Sequence, residues 1–261
     1  MSPPGPQTSV LMPAYRAEDT VREAVESALA QSVSDLELIV VDDASPVPVR
    51  EALSGIADPR LRVILRSRNG GPAAARNTAL RHARARLVSQ LDADDVWKPD
   101  YLEHVLPEFA DPAVGLVYAN AEILGHPTGH DTYVFDPSPH PIDRFPKLAE
   151  QNPVPALTAT MRARAVREVG GYARWLPMAQ DYHLYLKLAA AGWRFRYVDR
   201  KLARFRWPQP HRGRTYDRRR HELYELRMWM AFALRHPLTP GPKRQVRDRL
   251  GHEAQRLRFG R

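Results

Sequence analysis

Hydrophobic and polar positions keep two different rhythms along the first hundred residues. Short apolar runs, "TSVLMP" (8–13), "LELIVVDD" (36–43), "LRVILR" (61–66) and "RLVSQL" (86–91), have strand length. The segments between them repeat with helical period. In "DTVREAVESALAQ" (19–31), Val21, Ala24, Val25, Ala28 and Leu29 share one stripe, and Thr20 with Glu23 predicts a capping box. "PVREALSGI" (48–56) reads as a weaker helix. "NGGPAAARNTALRHA" (69–83) reads as a glycine turn, a proline at the first helical position and then a helix. Strands alternating with helices at this spacing predict a parallel sheet covered on both faces.

After the acidic run "DADD" (92–95) the rhythm changes. A helix is predicted over 99–109, a strand over 114–124 and a long loop over the Pro-, His- and Gly-rich stretch 125–156. "ALTATM" (156–161) reads as a strand, and "ARAVREVGGY" (163–172) as a helix stopped by Gly170 and Gly171. A helix over 180–192 precedes two strands, "RFRYV" and "LARFRW". The last fifty residues predict helices over 216–235 and 243–258, separated by "HPLTPGP". No internal repeat is visible.

Composition narrows the classes. The 261 residues contain no cysteine, which removes disulfides and thiolate metal sites. "MSPPGPQ" lacks the charged and apolar regions of a signal peptide, and no apolar run approaches a membrane span. A cytoplasmic protein is expected, or one attached peripherally at the inner face of a membrane. The net charge is +9, yet residues 211–261 hold 14 of the 39 basic and 5 of the 30 acidic residues. The body is therefore neutral and the tail carries the whole excess, so no nucleic-acid partner is expected. In the tail, Leu223, Leu226, Met230, Ala233 and Leu234 form an apolar stripe flanked by Arg218, Arg219, Arg220 and Arg227. Packing on the body, pairing with a second subunit and lying on an anionic membrane all fit this pattern.

Candidate chemistry falls at strand ends, where an open parallel sheet binds ligands. "MPAYR" follows the first strand, "DDAS" the second, "RSRNGGPAAARN" the third and "DADD" the fourth. Gly70 and Gly71 allow close backbone approach, the helix from Pro72 directs its free N–H groups outward, and Arg76 adds a cation. This suits a phosphate, or is simply a helix start. Asp92 and Asp94 project the same way on an extended backbone, with Asp95 pointing away. That suits Mg²⁺ or Mn²⁺ shared with substrate phosphates, or is an acidic turn capping the next helix. Asp42 and Asp43 suit a ribose hydroxyl or an imide N–H, or form an Asx-type turn with Ser45 and Pro46.

The order of these pieces is more specific than any one of them. "SVLMPAYRAEDTVREAVESALAQSVSDLELIVVDDAS", "NGGPAAARNTAL" and "LVSQLDADDVWKPDYLE" together resemble the nucleotide-binding half of the inverting family 2 glycosyltransferases of GT-A fold. The resemblance resumes at "GGYARWLPMAQDYHLYLKLAAAG", similar to that family's acceptor-side segment. It covers roughly 8–207 and leaves 125–156 and the tail unmatched.

The resemblance implies an α/β, Rossmann-like, mostly parallel sheet flanked by helices, with a C-terminal helical tail. One catalytic domain would span 1–210, with 8–105 as the nucleotide-sugar half and 106–210 as the acceptor half; 211–261 would be the basic tail. Pro13, Ala14 and Tyr15 would line a nucleobase pocket, Asp43 would read the uracil edge with Asp42 beside it, and Arg76 would face the nucleotide. Asp92-Ala93-Asp94 matches the DxD motif. Its first acid would face ribose or donor sugar, and Asp94, with Asp92, would hold Mn²⁺ or Mg²⁺. Asp95, Gly171, Trp175 and Gln180 are candidates for sugar contacts. Asp181 matches the general base, although Gln180 stands where the family commonly has Glu. Asp181 alone could equally be a helix N-cap.

The implied reaction moves a sugar from a UDP-sugar to a glycan, lipid-linked or other hydroxyl acceptor with inversion. A sugar-nucleotide nucleotidyltransferase is the rival enzyme, but "MPAYRAED" lacks its glycine-rich signature. A non-catalytic sugar-nucleotide-binding module is the rival outside enzymes.

Overall fold

The computed structural model describes residues 5–133 except 127 and 130, residue 148, residues 152–207 and 218–235, and scattered positions from 244 to 254. Most of the predicted 125–156 loop, the "HPLTPGP" break and most of the predicted 243–258 helix lie outside the described residues. In chain order the elements are β1 (Thr8–Ala14), α1 (Val21–Leu29), β2 (Leu36–Asp42), α2 (Val49–Ala52), β3 (Leu61–Leu65), α3 (Gly71–His82) and β4 (Leu87–Gln90). Then come β5 (Val96–Trp97), α4 (Tyr101–Val105), β6 (Val114–Leu124), β7 (Thr160–Arg162), α5 (Ala163–Glu168), α6 (Gln180–Ala190), β8 (Arg194–Arg206) and α7 (Arg218–Arg235). No described helix is long and apolar enough to cross a membrane.

The eight strands form one sheet in the order β3-β2-β1-β4-β7-β6-β8-β5. Its first four strands are parallel. Alternate residues of β1 and β2 feed opposite faces, as the strand period requires. Leu11, Ile39 and Val41 join the core under α3, α5, α6 and α7. Val10, Met12, Leu38 and Val40 join the core under α1, α2 and α4. Both faces are thus covered, as the apolar runs predict.

The second half departs from a simple parallel sheet. β7 runs antiparallel to β4 and β6, and β5 antiparallel to β8. A chain of buried hydroxyls ties the halves together: Thr8 to Ser89 at 2.8 Å, Ser89 to Thr160 at 2.7 Å, and Thr160 to Tyr101 at 2.8 Å.

Several local expectations are corrected. The two strands expected after α6 are one 13-residue strand, because a bulge absorbs the polar 199–200 step between the Ala119–Val198 and Asn120–Lys201 pairs. "ALTATM" divides into a 3₁₀ turn at Ala156–Thr158 and the short β7. The 99–109 helix stops at Val105 and continues as a 3₁₀ turn from Pro107, whose missing N–H cannot extend an α-helix. The 48–56 helix shrinks to the single turn of α2. The capping box does not form: the Thr20 hydroxyl reaches the Ala17 carbonyl at 3.5 Å, and Glu23 pairs with Arg206 at 2.6 Å.

Glu37, almost fully buried on β2, anchors the sheet end opposite the acidic turn. It accepts from Ser9 Oγ (2.7 Å), the Arg84 N–H (2.7 Å) and Arg84 Nε (2.9 Å). Burial alone would raise its pKa, but the bonds from Ser9 and Arg84 outweigh that and hold the carboxyl below its ordinary value. A depressed acid stabilises the fold above its unfolded pKa and loses that contribution as pH falls through the folded value. Glu37→Gln should therefore cost about 2 kcal/mol at pH 7 and progressively less below pH ~4. Urea denaturation at pH 7 and pH 3.5 checks this; an equal deficit at both would refute it.

Candidate active site

A cavity of about 520 Å³ opens at the carboxyl ends of β1, β2 and β4. Pro13, Ala14, Tyr15 and Arg16 form its wall at the end of β1, and Asp43 follows β2. Asn69, Gly71 and Pro72 come from the turn into α3, with Ala75 and Arg76 from its first turns. Asp92, Ala93 and Asp94 close the side after β4, and Gln180 approaches from the start of α6. Segments as far apart as residues 13 and 180 thus converge on one crevice.

The rim holds strained backbone. Arg16, Ala44 and Ala179 are the non-glycine residues with positive φ among those described, at 51°, 58° and 56°. They follow β1, follow β2 and precede α6. Such conformations cost about 1–3 kcal/mol each and concentrate where a site demands a particular backbone course.

The positive charge expected among the acids of "DADD" is supplied in part by the protein itself. Arg76 is 2% exposed, pairs with Asp92 and donates to Gln180 Oε1 at 3.0 Å. Burial by itself would lower its pKa. The charge of Asp92, with smaller effects from Tyr172, Asp181 and Tyr185, outweighs burial and holds the guanidinium above its ordinary value. The acids adopt a turn rather than an extended course, with the Asp95 N–H donating to the Asp92 carbonyl at 3.1 Å. Asp95 is buried and accepts the Arg206 N–H at 2.9 Å, while Arg206 Nε donates to the Asp94 carbonyl at 3.1 Å. Asp95 is a structural member of the turn and does not line the cavity.

The start of α3 is also partly occupied by the protein. The Asp43 carboxylate accepts the N–H groups of Gly70 (3.0 Å) and Gly71 (2.7 Å) and pairs with Arg66. The amides expected to point at a phosphate thus point at Asp43, because the end of β2 runs beside them. Gly70 is tightly confined: a Cβ there would meet Arg66 Nη1 at 2.8 Å. Asp42 does not line the cavity and accepts the N–H groups of Ser45 (2.9 Å) and Val49 (3.0 Å), the turn-forming alternative.

Asp181 is the second residue of α6, one residue after Gln180. The N-cap position belongs to Ala179, so the N-cap reading of Asp181 does not hold. Its Oδ1 accepts its neighbour's N–H, from Tyr182, at 2.8 Å. Asp181 is half-buried and, unlike its neighbour Gln180, does not line the cavity. It lies in electrostatic reach of Arg76 and of the buried phenols Tyr172 and Tyr185, whose pKa values burial pushes up.

Gly171 and Trp175 do not line the cavity. Gly171 has φ 65°, and a Cβ would stand 2.6 Å from Asn77 Oδ1, so its need for glycine is one of packing. Trp175 is 44% exposed and packs edge-on to His183. Arg66 and Arg206, the partners that hold Asp43 and Asp95, carry no motif that singles them out.

No group of three or more His, Asp or Glu side chains placed to hold a metal occurs among the described residues. Asp92 pairs with Arg76 and Asp95 accepts from Arg206, and of the three acids Asp92 and Asp94 line the cavity. One carboxylate beside a diphosphate still suits Mg²⁺ or Mn²⁺, which commonly complete their shell with phosphate oxygens and water.

The family described as glycosyl transferase family 2 matches residues 9–169. Among curated proteins, the chain is 34% identical over 118 residues to the UDP-Glc:α-D-GlcNAc-diphosphoundecaprenol β-1,3-glucosyltransferase WfgD of Escherichia coli, covering 45% of this chain and 47% of that one. The chain spans between a fifth and about half of the length of the curated relatives it matches. Among solved structures, S. aureus TarS 1–349 in complex with UDP-GlcNAc superposes with TM-score 0.75 at 17% identity, over 97% of this chain and 73% of that one. The mannosyltransferase PcManGT from Pyrobaculum calidifontis, in complex with GDP-Man and Mn²⁺, gives TM-score 0.70 at 23% identity, over 98% and 71%. These likenesses show the GT-A fold. The matched family segment runs from β1 to the end of α5 and carries all of the crevice except its α6 wall, so the chain belongs to glycosyl transferase family 2.

Proposed function

We propose that this chain transfers a sugar from a nucleoside-diphosphate sugar, a UDP-sugar, to an acceptor hydroxyl with inversion at the anomeric carbon. The observation that carries the reading is the convergence on one cavity of the β1 end, Asp43, Arg76, the acidic turn and Gln180. WfgD's name specifies UDP-glucose and a diphosphoundecaprenol-linked acceptor, and TarS was solved with UDP-GlcNAc, which favours uridine and a glycan or lipid-linked acceptor.

Pro13, Ala14 and Tyr15 hold the base, and Asp43 receives its imide N–H in competition with Arg66. Arg76 contributes fixed positive charge at the diphosphate end, and because it is already oriented by Asp92 and Gln180 it needs no reorganisation as charge develops. Asp94 would hold Mn²⁺ or Mg²⁺, which would supply Lewis-acid neutralisation of the leaving diphosphate. Asp181 takes the proton from the acceptor hydroxyl on the opposite face.

Calorimetric titration with UDP tests the donor half. Binding should depend on Mn²⁺ and weaken about tenfold or more in Asp94→Ala, since even outer-sphere losses at metal sites cost about 10–100-fold. UDP binding that ignores both the metal and the substitution would refute the placement at Asp94, and preferential binding of GDP would refute the uridine assignment.

A further inference from the structure

α7 presents two different faces. Its inner face seals the core: Met228, Trp229 and Phe232 are 0% exposed. Trp229 packs edge-on to Tyr182 at 5.7 Å and Phe232 to His183 at 6.5 Å. These contacts fix the helix about its own axis, so its outer face cannot turn inward. On that outer face Leu223, Met230 and Leu234 are 40%, 52% and 85% exposed. At 3.6 residues per turn these three lie within roughly 20° of one line along the helix. Arg219 and Arg227 flank the line at roughly 40° on either side, and Arg220 lies just beyond. All three arginines are exposed.

Two of these cations are held in place. Tyr224 lies beneath both Arg220 and Arg227, whose guanidinium carbons stand 5.8 and 5.7 Å from its ring centroid. Cation–π contact with one ring keeps two phosphate-binding groups beside the apolar line. An apolar stripe between rows of arginine matches the boundary between lipid headgroups and acyl chains. A second copy of the chain fits poorly, because two-fold pairing through this face would set arginine rows against each other.

We propose that the outer face of α7 is a docking surface for an anionic phospholipid bilayer. Leu223, Met230 and Leu234 enter the acyl boundary, and Arg219, Arg220 and Arg227 bind lipid phosphates. The proposal is independent of the sugar-transfer reading and is tested without activity.

The test is co-sedimentation of the full chain with vesicles of phosphatidylcholine alone and of phosphatidylcholine with 30% phosphatidylglycerol, at low and high salt. Binding is expected only to the anionic vesicles and should be released by salt. Arg220→Ala with Arg227→Ala should lower the partition coefficient about 25-fold, at about fivefold per basic residue near such a surface. The triple change of Leu223, Met230 and Leu234 to Ser should abolish it. All five substituted positions are exposed, so melting temperatures should stay close to the parent value.

Three outcomes would overturn the proposal. The chain fails to sediment with anionic vesicles, or sediments unchanged in both variants, which puts the contact elsewhere on the basic surface. Or light scattering shows a dimer that the triple serine variant dissociates, which makes the stripe a subunit interface.

Discussion

Asp181→Asn should lower turnover about a thousandfold while leaving UDP affinity and melting temperature unchanged. A positioned general base contributes roughly 10²–10⁴ to rate. Asparagine keeps the side-chain oxygen that accepts the Tyr182 N–H, so the start of α6 should hold its shape. It cannot take a proton. Asp181 follows the cavity-lining Gln180 in α6 and lies within electrostatic reach of Arg76, without itself lining the cavity. The measurement is kcat with saturating donor and acceptor, alongside a UDP titration. A loss of less than about threefold, with UDP affinity intact, would remove Asp181 from the chemistry and reduce it to a helix-start residue.

Arg76→Ala should lower the melting temperature by about 10 °C. The guanidinium is buried and bridges three segments: α3, the acidic turn through Asp92, and α6 through Gln180. Removing one partner of a buried ion pair costs about 3–5 kcal/mol. The Asp92 side chain is 31% exposed, so water reaches it and the cost falls at the lower end, about 3 kcal/mol. In a chain of this size that corresponds to roughly 2–4 °C per kcal/mol. Arg76→Lys keeps the charge but lacks the planar fork whose separate nitrogens reach Asp92 and Gln180, so it should recover part of the stability and less of the turnover. Differential scanning calorimetry of both variants decides, and an Arg76→Ala melting point within 2 °C of the parent would show that the bridge carries little.

The parts of this fold that sequence exposes are those that local periodicity controls. β1 to β4 and α1 and α3 are legible because each apolar residue on them answers to a period of two or 3.6. The acidic turn is legible as a site but not as a structure. Its acids read as a metal cluster because the residues that claim two of them are remote: Arg76 lies 16 positions from Asp92, and Arg206 lies 111 positions from Asp95. The false capping box has the same cause, since the partner that draws Glu23 away is 183 residues downstream. β5 is two residues long and has no period to detect. The left-handed backbone at Arg16, Ala44 and Ala179 carries no glycine to announce it. Gly171 is visible in the sequence as one of a pair ending a helix, whereas its close approach to Asn77, 94 positions away, is not.

The link from Arg206 to Asp95 also sets an order of events during synthesis. β5 takes its strand partner from β8, and the Arg206 amide that Asp95 accepts is made 111 residues after it. At roughly 5–20 residues per second, the ribosome extends the chain for about ten seconds before that partner exists. Until then the carboxylates of the nascent turn have water rather than Arg206 as their company. The strands that shape the first half of the crevice emerge early, whereas the bond that finishes the acidic turn comes from the last strand of the sheet. The crevice is therefore completed only after the strands around it have been made.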